Sequence, residues 1–415
     1  MIYRLFFLFS LLAAGTAQAQ NTLGKVQPAP AAPPVSSPLT LTQALQTGLG
    51  QSLFLQSATL ELERQRALSR TGYDLPRTVV DYQYGQISGS LADQSLNVIQ
   101  QTAFPTLYGA QRKLLEGQAT SAEQRLRLQR RELNRAIRTS YYELLTLHRR
   151  SALLRRQDSL YRRAARAAEV RYRTGETNRL EQVSAAARAQ ELQNRLLTVL
   201  TEVRVRQQQL GLLLGTPGPV LIDTTTSPVA VLSPADTAGI SPDTNPTLAV
   251  LQQEVAVSEQ QTRVERLRRL PDLRLGYFNQ TIDKRRGFQV AQAGVALPLL
   301  GGAQRGRIAA AKVAEQAATA QLSYAGLQLS TQLSGLRQQL TRARASLEYY
   351  QQTALPQARL ILDAANKSFR AGDIDYVEFV VNTQPAWDLQ AAYLDQITQY
   401  NTLVISLQAL AGTDN

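Results

Sequence analysis

The sequence predicts a mainly α-helical chain with strands of the membrane β-barrel kind, built as a tandem repeat of helix, β-hairpin and long coiled-coil helix hairpin. Three observations predict it. The phrase Phe104-Pro105-Thr106-Leu107-Tyr108-Gly109-Ala110-Gln111-Arg112 returns as Leu297-Pro298-Leu299-Leu300-Gly301-Gly302-Ala303-Gln304-Arg305. Four segments of about ten residues alternate apolar and polar side chains, the length and dyad period of a membrane-barrel strand. Between Thr106 and Thr216 there is no proline, and apolar residues recur there at heptad spacing.

The repeat extends beyond the phrase. Leu75-Pro76 matches Leu270-Pro271, Tyr172-Arg173-Thr174-Gly175-Glu176 matches Phe369-Arg370-Ala371-Gly372-Asp373, and Leu214-Gly215 matches Ala411-Gly412. The pairs keep one order and a spacing of roughly 195 residues, as tandem copies do. Repeat 1 is therefore placed at 39–215 and repeat 2 at 246–412, joined by a linker at 216–245.

The chain opens on Arg4, an apolar run from Leu5 to Ala14, and Ala17-Gln18-Ala19. A basic start, a short apolar core and a small-x-small end predict a secretory signal peptide over 1–19. The apolar core is too short to span a bilayer. Residues 20–38 read as a Pro-rich leader. Thr40 or Thr42 then caps a helix running to about Gly72.

Thr78 to Ile87 predicts a strand, Ser88-Gly89-Ser90 and Asp93 a turn, and Ser95 to Phe104 the returning strand. The second copy supplies Asp272 to Gln280 and Phe288 to Leu297, turning through Asp283 to Gly287. Soluble hairpins would show the same alternation; the export signal favours the membrane reading. Proline cannot donate to a ladder and glycine tolerates unusual backbone angles, so Pro105, Gly109, Pro298 and Gly302 mark two strand-to-helix junctions.

A long helix follows each junction. Leu126, Leu133, Ile137, Leu144, Leu147, Leu154, Tyr161, Ala165, Ala168 and Tyr172 lie on one 4-3 ladder, with Arg130, Ser140, Ser151 and Asp158 as its polar members. Thr174-Gly175 ends that helix and Asn178 caps the return, which carries Leu192, Leu196, Val199, Val203, Leu210 and Leu213 in register. The linker from Thr216 to Pro246 carries six prolines, with a short strand at Val220 to Ile222. Repeat 2 predicts a helix from Asn245 to Leu270, and one from Gly302 to Arg370 kinked or divided at Pro356. Ala371-Gly372 forms its tip, and a last helix from Tyr376 to Ala411 is disturbed at Pro385.

Composition narrows the chemistry. Cysteine is absent and His148 is the one histidine. That excludes disulfides, thiolate metal sites and a catalytic thiol, and leaves no nucleophile–base–acid set built on histidine. No metal site, cofactor site or enzymatic activity is expected. The net charge is +13, carried almost wholly by arginine, as only five of 45 basic residues are lysine. Solvated helix faces account for it, and export argues against nucleic acid as partner. Glu181 and Glu378 each lie six residues past a tip glycine, so they sit at equal height on the returning helices. They read either as duplicated surface glutamates or as an acidic ring at a pore mouth, with Arg179 near enough to compensate.

The two junctions, the tips at Tyr172–Gly175 and Phe369–Gly372, and the tandem repeat together resemble the TolC family of outer-membrane efflux channels, over nearly the whole exported chain. Gly372-Asp373-Ile374-Asp375-Tyr376-Val377-Glu378, Tyr393-Leu394 and Tyr400-Asn401 look closest to its heavy-metal branch, typified by CzcC and CusC. The resemblance implies a trimeric α/β barrel channel, four strands per chain closing a twelve-stranded barrel in outer-membrane lipid, and an α-helical barrel in the periplasm. It implies partners: a homotrimer, a periplasmic adaptor and an inner-membrane pump. Closure agrees with physics, because open strand edges cannot face lipid and cyclic symmetry supplies the missing strands. Arg173, Thr174, Gly175, Arg370, Ala371 and Gly372 are the implied adaptor-docking tips, and Glu181 and Glu378 the implied gate. The family's second acidic position is Val381 here. A periplasmic adaptor would carry one hairpin between β-rich domains, and a purely structural coiled coil would lack the strands.

Overall fold

The computed structural model describes residues 38–88, 90–231, 245–282, 285–298 and 301–411. The predicted signal peptide, the leader up to residue 37, Gly89, residues 232–244, Asp283, Lys284, Leu299, Leu300 and Gly412 lie outside the described residues.

Repeat 1 opens with α1 (Leu41–Gln51) and α2 (Leu53–Ser69), then a 3₁₀ turn at Arg70–Tyr73. Thr40 is the N-cap: its Oγ1 accepts from the Gln43 N–H at 3.3 Å, and Gln43 Oε1 accepts from the Thr40 N–H at 3.0 Å. This reciprocal box satisfies two backbone donors that a helix start leaves open. One helix was predicted here. The chain breaks it at Ser52, whose extended backbone caps one helix and starts the next.

The strands are β1 (Val79–Gly85), β2 (Asp93–Thr102), β3 (Asp272–Ile282) and β4 (Arg285–Ala296), and they form one antiparallel sheet in the order β1-β2-β3-β4. The two repeats thus contribute one hairpin each, and β2–β3 is the seam between them. Arg285, Arg286 and Gly287, expected in a turn, belong to β4. Ile282 pairs with Arg285, and the ladder shifts between Gln280 and Ile282. Such an irregularity keeps the hairpin tight while bending it.

From the sheet run two helical hairpins. In repeat 1, α3 (Pro105–Arg173, 69 residues) returns as α4 (Arg179–Leu214, 36 residues). After the linker comes α5 (Pro246–Leu267), the helix predicted from Asn245 to Leu270, with Asn245 as its N-cap. In repeat 2, α6 (Gly302–Tyr349, 48 residues), a five-residue π-helical stretch at Tyr350–Ala354 and α7 (Leu355–Ala371, 17 residues) form the outgoing arm. The return, α8 (Tyr376–Ala411), again has 36 residues. The π stretch sits where Pro356 was expected to divide the helix, because proline offers no N–H to the preceding turn and crowds its carbonyl. Pro385 does not interrupt α8. The carbonyl it leaves unpaired is that of Val381, which is exposed, so solvent can take the bond.

Two cores hold the hairpins. One joins α1, α2, the middle of α3 and the end of α4 around Ile137, Tyr141, Leu144, Leu210 and Leu214. The other joins the far parts of α3 and α4 to α6, α7 and α8 around Tyr161, Leu192, Phe379, Ile397 and Leu407. Each such side chain contributes ~1.5–3 kcal/mol through burial. The polar ladder positions Ser140, Ser151 and Asp158 are buried too, and so are Tyr141, Leu145 and Leu153 beside them. The reason is that α3 packs against α2, α4, α5 and α8 at once, so it buries several flanks and not one seam. The linker is pinned to the first helix's entry. Leu39 and Ile222 form a parallel bridge, and the Tyr141 hydroxyl donates toward the carbonyls of Leu39 and Asp223 at 3.2 and 3.3 Å.

Candidate functional site: sheet faces and hairpin tips

The strand register sorts the sheet into two faces. Val80 pairs with Val98 and Tyr82 with Leu96; Val98 in turn pairs with Tyr277, and Tyr277 with Ala291. Leu275 pairs with Ala293 and Leu273 with Val295 on the same side. Because side chains alternate along a strand, these residues share one apolar face. The other face is mixed: it carries Asp81, Gln83, Ser95, Asn97, Gln101, Arg274 and Gln292 beside Val79, Ile99, Phe278, Phe288 and Val290. Val80, Tyr82, Tyr84, Leu275 and Val295 are all exposed, at 58–69%. A sheet that shows its apolar face outward, with β1 and β4 unpaired at its edges, is built to be covered by something apolar.

At the first junction Pro105 is the first residue of α3, where its missing N–H costs nothing. Tyr108 turns back, its hydroxyl accepting from the Ala103 N–H at 3.1 Å. Gly109 lies inside α3, and Gly302 starts α6; neither has a positive φ. Pro298 closes the described part of the second strand pair.

The tips are built alike. Gly175 and Gly372 have φ of +79° and +84°, the left-handed conformation that reverses the chain after a helix. Glu176 N–H donates to the Arg171 carbonyl at 2.8 Å, and Asp373 N–H to the Ser368 carbonyl at 3.0 Å. Thr174 ends α3, Ala371 ends α7, and Arg173 is tied to Glu169 at 2.5 Å. Arg370 lies in the last turn of α7.

The return helices share a second device. Asn178 Oδ1 accepts from the Glu181 N–H at 2.9 Å, and Asp375 Oδ1 accepts from the Glu378 N–H at 2.7 Å. Both glutamates are thus third residues of capped helices, which is why they fall six residues past a tip glycine. Their surroundings differ. Glu181 is buried, hydrogen-bonded by Thr177 and 4.0 Å from Arg171. Glu378 is exposed. Arg171, not Arg179, is the cation beside Glu181.

Sequence spacing missed how the two hairpins engage. Tyr161 of α3 hydrogen-bonds Thr383 of α8 at 3.0 Å and packs its ring, tilted by 59°, against Phe379 at 5.9 Å, and Phe379 meets Phe369 at 4.7 Å. Arg188 lies over the Tyr161 ring at 5.6 Å and bonds Gln384. The Tyr376 hydroxyl is buried without an acceptor among the described residues, and desolvation pushes its pKa up to about 12. The signal for the caps was present: Asp375-x-x-Glu378 is a capping-box pattern.

Among the described residues no cluster of His, Cys, Asp and Glu could hold a metal ion, and no helix is long and apolar enough to cross a membrane.

Residues 242–413, repeat 2 with the end of the linker, match the family model for the outer membrane efflux protein. The chain is 23% identical to the cobalt-zinc-cadmium resistance protein CzcC of Cupriavidus metallidurans over 386 residues, 91% of each chain. Its fold matches the outer membrane protein VceC of Vibrio cholerae with a TM-score of 0.73 at 17% identity, covering 90% of this chain and 96% of that one. It matches CusC with a TM-score of 0.74 at 16% identity, over 90% and 92%. The mainly helical architecture with one small antiparallel sheet is therefore the fold that VceC and CusC share.

Proposed function

We propose that this chain is the passive outer-membrane duct of a three-part export machine, receiving cargo from an inner-membrane pump through a periplasmic adaptor, and that it performs no catalysis. The observation that carries the reading is the four-stranded sheet, apolar on one face and open at both edges, continuous with two helical hairpins of matching length. Three copies close the sheet into twelve strands, which removes every edge from lipid. The repeat boundaries at 39–215 and 246–412 then place one hairpin pair per copy in the periplasmic wall. The relation to CzcC makes divalent metal ions the cargo to test first.

The tips at Arg173, Thr174, Gly175, Arg370, Ala371 and Gly372 are the proposed adaptor contacts. Pro105, Gly109, Pro298 and Gly302 are the proposed points where wall joins barrel. Glu181 and Glu378 are proposed to line the mouth, six carboxylates per trimer, drawing cations and slowing anions more strongly at low salt.

Fractionation tests the reading: the exported chain is expected in outer membranes as a trimer resistant to detergent. Recovery as a soluble periplasmic monomer overturns it. Conductance of the purified trimer in a planar bilayer tests the mouth. Glu378→Gln, at the exposed carboxylate, is expected to reduce cation preference more than Glu181→Gln, whose carboxylate already faces Arg171. A double variant that conducts like the parent at low salt removes both residues from the gate.

A further inference from the structure

A groove of about 480 Å³ lies between α3 and α7, with α8 packed against both. It is lined by Arg156 and Arg163 of α3, Arg359 and Asn366 of α7, and Trp387 and Gln390 of α8; Asp363 is its one carboxylate. Arg156, Arg163 and Arg359 form no ion pair or hydrogen bond with any described residue. Elsewhere on these helices arginines find acids readily, as Arg162 does with Asp158 and Arg150 with Asp395. Trp387 is only 6% exposed, and its indole N–H has no acceptor among the described residues. A neighbouring cavity shares Leu160, Arg163 and Asn366 and continues to Gly372 at the tip.

The groove therefore gathers three unpaired guanidinium groups, an unpartnered buried N–H and two side-chain amides around a single acid. Like charges held together repel, and beyond the screening by water and salt an anion able to meet more than one of them relieves the repulsion most directly. Guanidinium presents its donors as a planar fork that matches the spacing of oxygens on phosphate or carboxylate. A multivalent oxyanion meets two or three forks at once, offsets Asp363, and offers an acceptor near the indole. We propose that this groove binds a small multivalent oxyanion of the phosphate class. The inference does not depend on trimer formation or on the cargo.

Trp387 is the only tryptophan of the chain, so its emission reports on the site alone. The purified full-length protein is titrated with inorganic pyrophosphate, with sodium chloride at matched ionic strength as reference and citrate as the carboxylate arm. The expected result is a saturable emission change with pyrophosphate, and binding at least about tenfold weaker in Arg163→Gln/Arg359→Gln, since each lost charge-assisted contact weakens an anion strongly. Citrate is expected to bind more weakly than pyrophosphate. A change that follows ionic strength alone, or equal binding by the double variant, overturns the site, and tighter binding of citrate overturns the phosphate class. Calorimetry on the same samples, with Trp387→Phe included, covers binding that leaves the emission unmoved; absence of saturable heat is an equal refutation.

Discussion

Residue by residue, the tips are where the backbone leaves least freedom. At φ +79° and +84° an L side chain costs about 1 kcal/mol or more. Gly175→Ala and Gly372→Ala are expected to lower the melting temperature of the protein slightly while keeping the hairpins. Gly175→Pro also loses the N–H that donates to the Tyr172 carbonyl at 3.1 Å, and should unravel that tip, read as new protease cleavage near residue 175. Tyr376 gives a pH signature. Its folded pKa of about 12 lies above the ordinary tyrosine value, so the stability linked to its neutral hydroxyl is fully present below about pH 10. That stability is lost as pH rises from there toward the folded value. Tyr376→Phe is expected to flatten this alkaline loss and to change stability little at pH 7, because the hydroxyl it removes has no acceptor. An unchanged alkaline limb in chemical denaturation would refute the assignment.

At the level of elements, much was readable in advance because the determinants are local. Strict alternation placed all four strands within a few residues, and Asn178 and Thr40 announced their helices through capping chemistry. Pro356 was correctly read as a division, though nothing in the sequence told that the device would be a π stretch. The failures share a cause. The contacts between Tyr161 and Thr383, and between Leu39 and Ile222, join residues far apart in the chain, and periodicity carries no information about which face meets which hairpin. Pro385 misled because its cost depends on whether the freed carbonyl reaches solvent, which only packing decides. The aromatic set at Tyr161, Phe369 and Phe379 ties the hairpins together, each ring pair adding ~0.5–1.5 kcal/mol beyond area. Phe379→Ala is therefore expected to cost ~3–5 kcal/mol and to loosen α8 near the tip, seen as faster amide exchange over 376–387 than over 395–407. Uniform exchange along α8 would argue against it.

For the molecule as a whole, the repeat makes two arms of nearly one length, 69 residues in α3 against the run 302–371, and two returns of 36. Both tips then end at one level, so, on the proposed trimeric channel, a four-residue deletion confined to α3 and not matched in repeat 2 is expected to leave trimers in the membrane but abolish export. Export by that variant at the parental rate would show that tip alignment is not needed. The same molecule carries a hazard in its sheet. Until β1 and β4 find neighbours, each offers a row of free backbone donors and acceptors, beside a face of exposed tyrosine, valine and leucine. Such a surface will recruit whatever strand arrives first, including a misplaced copy. On the proposed outer-membrane role the order of events in the cell is constrained: the strands need shielding between export and insertion, and a chain expressed without residues 1–19 is expected to accumulate as insoluble, strand-paired aggregate rather than as folded monomer.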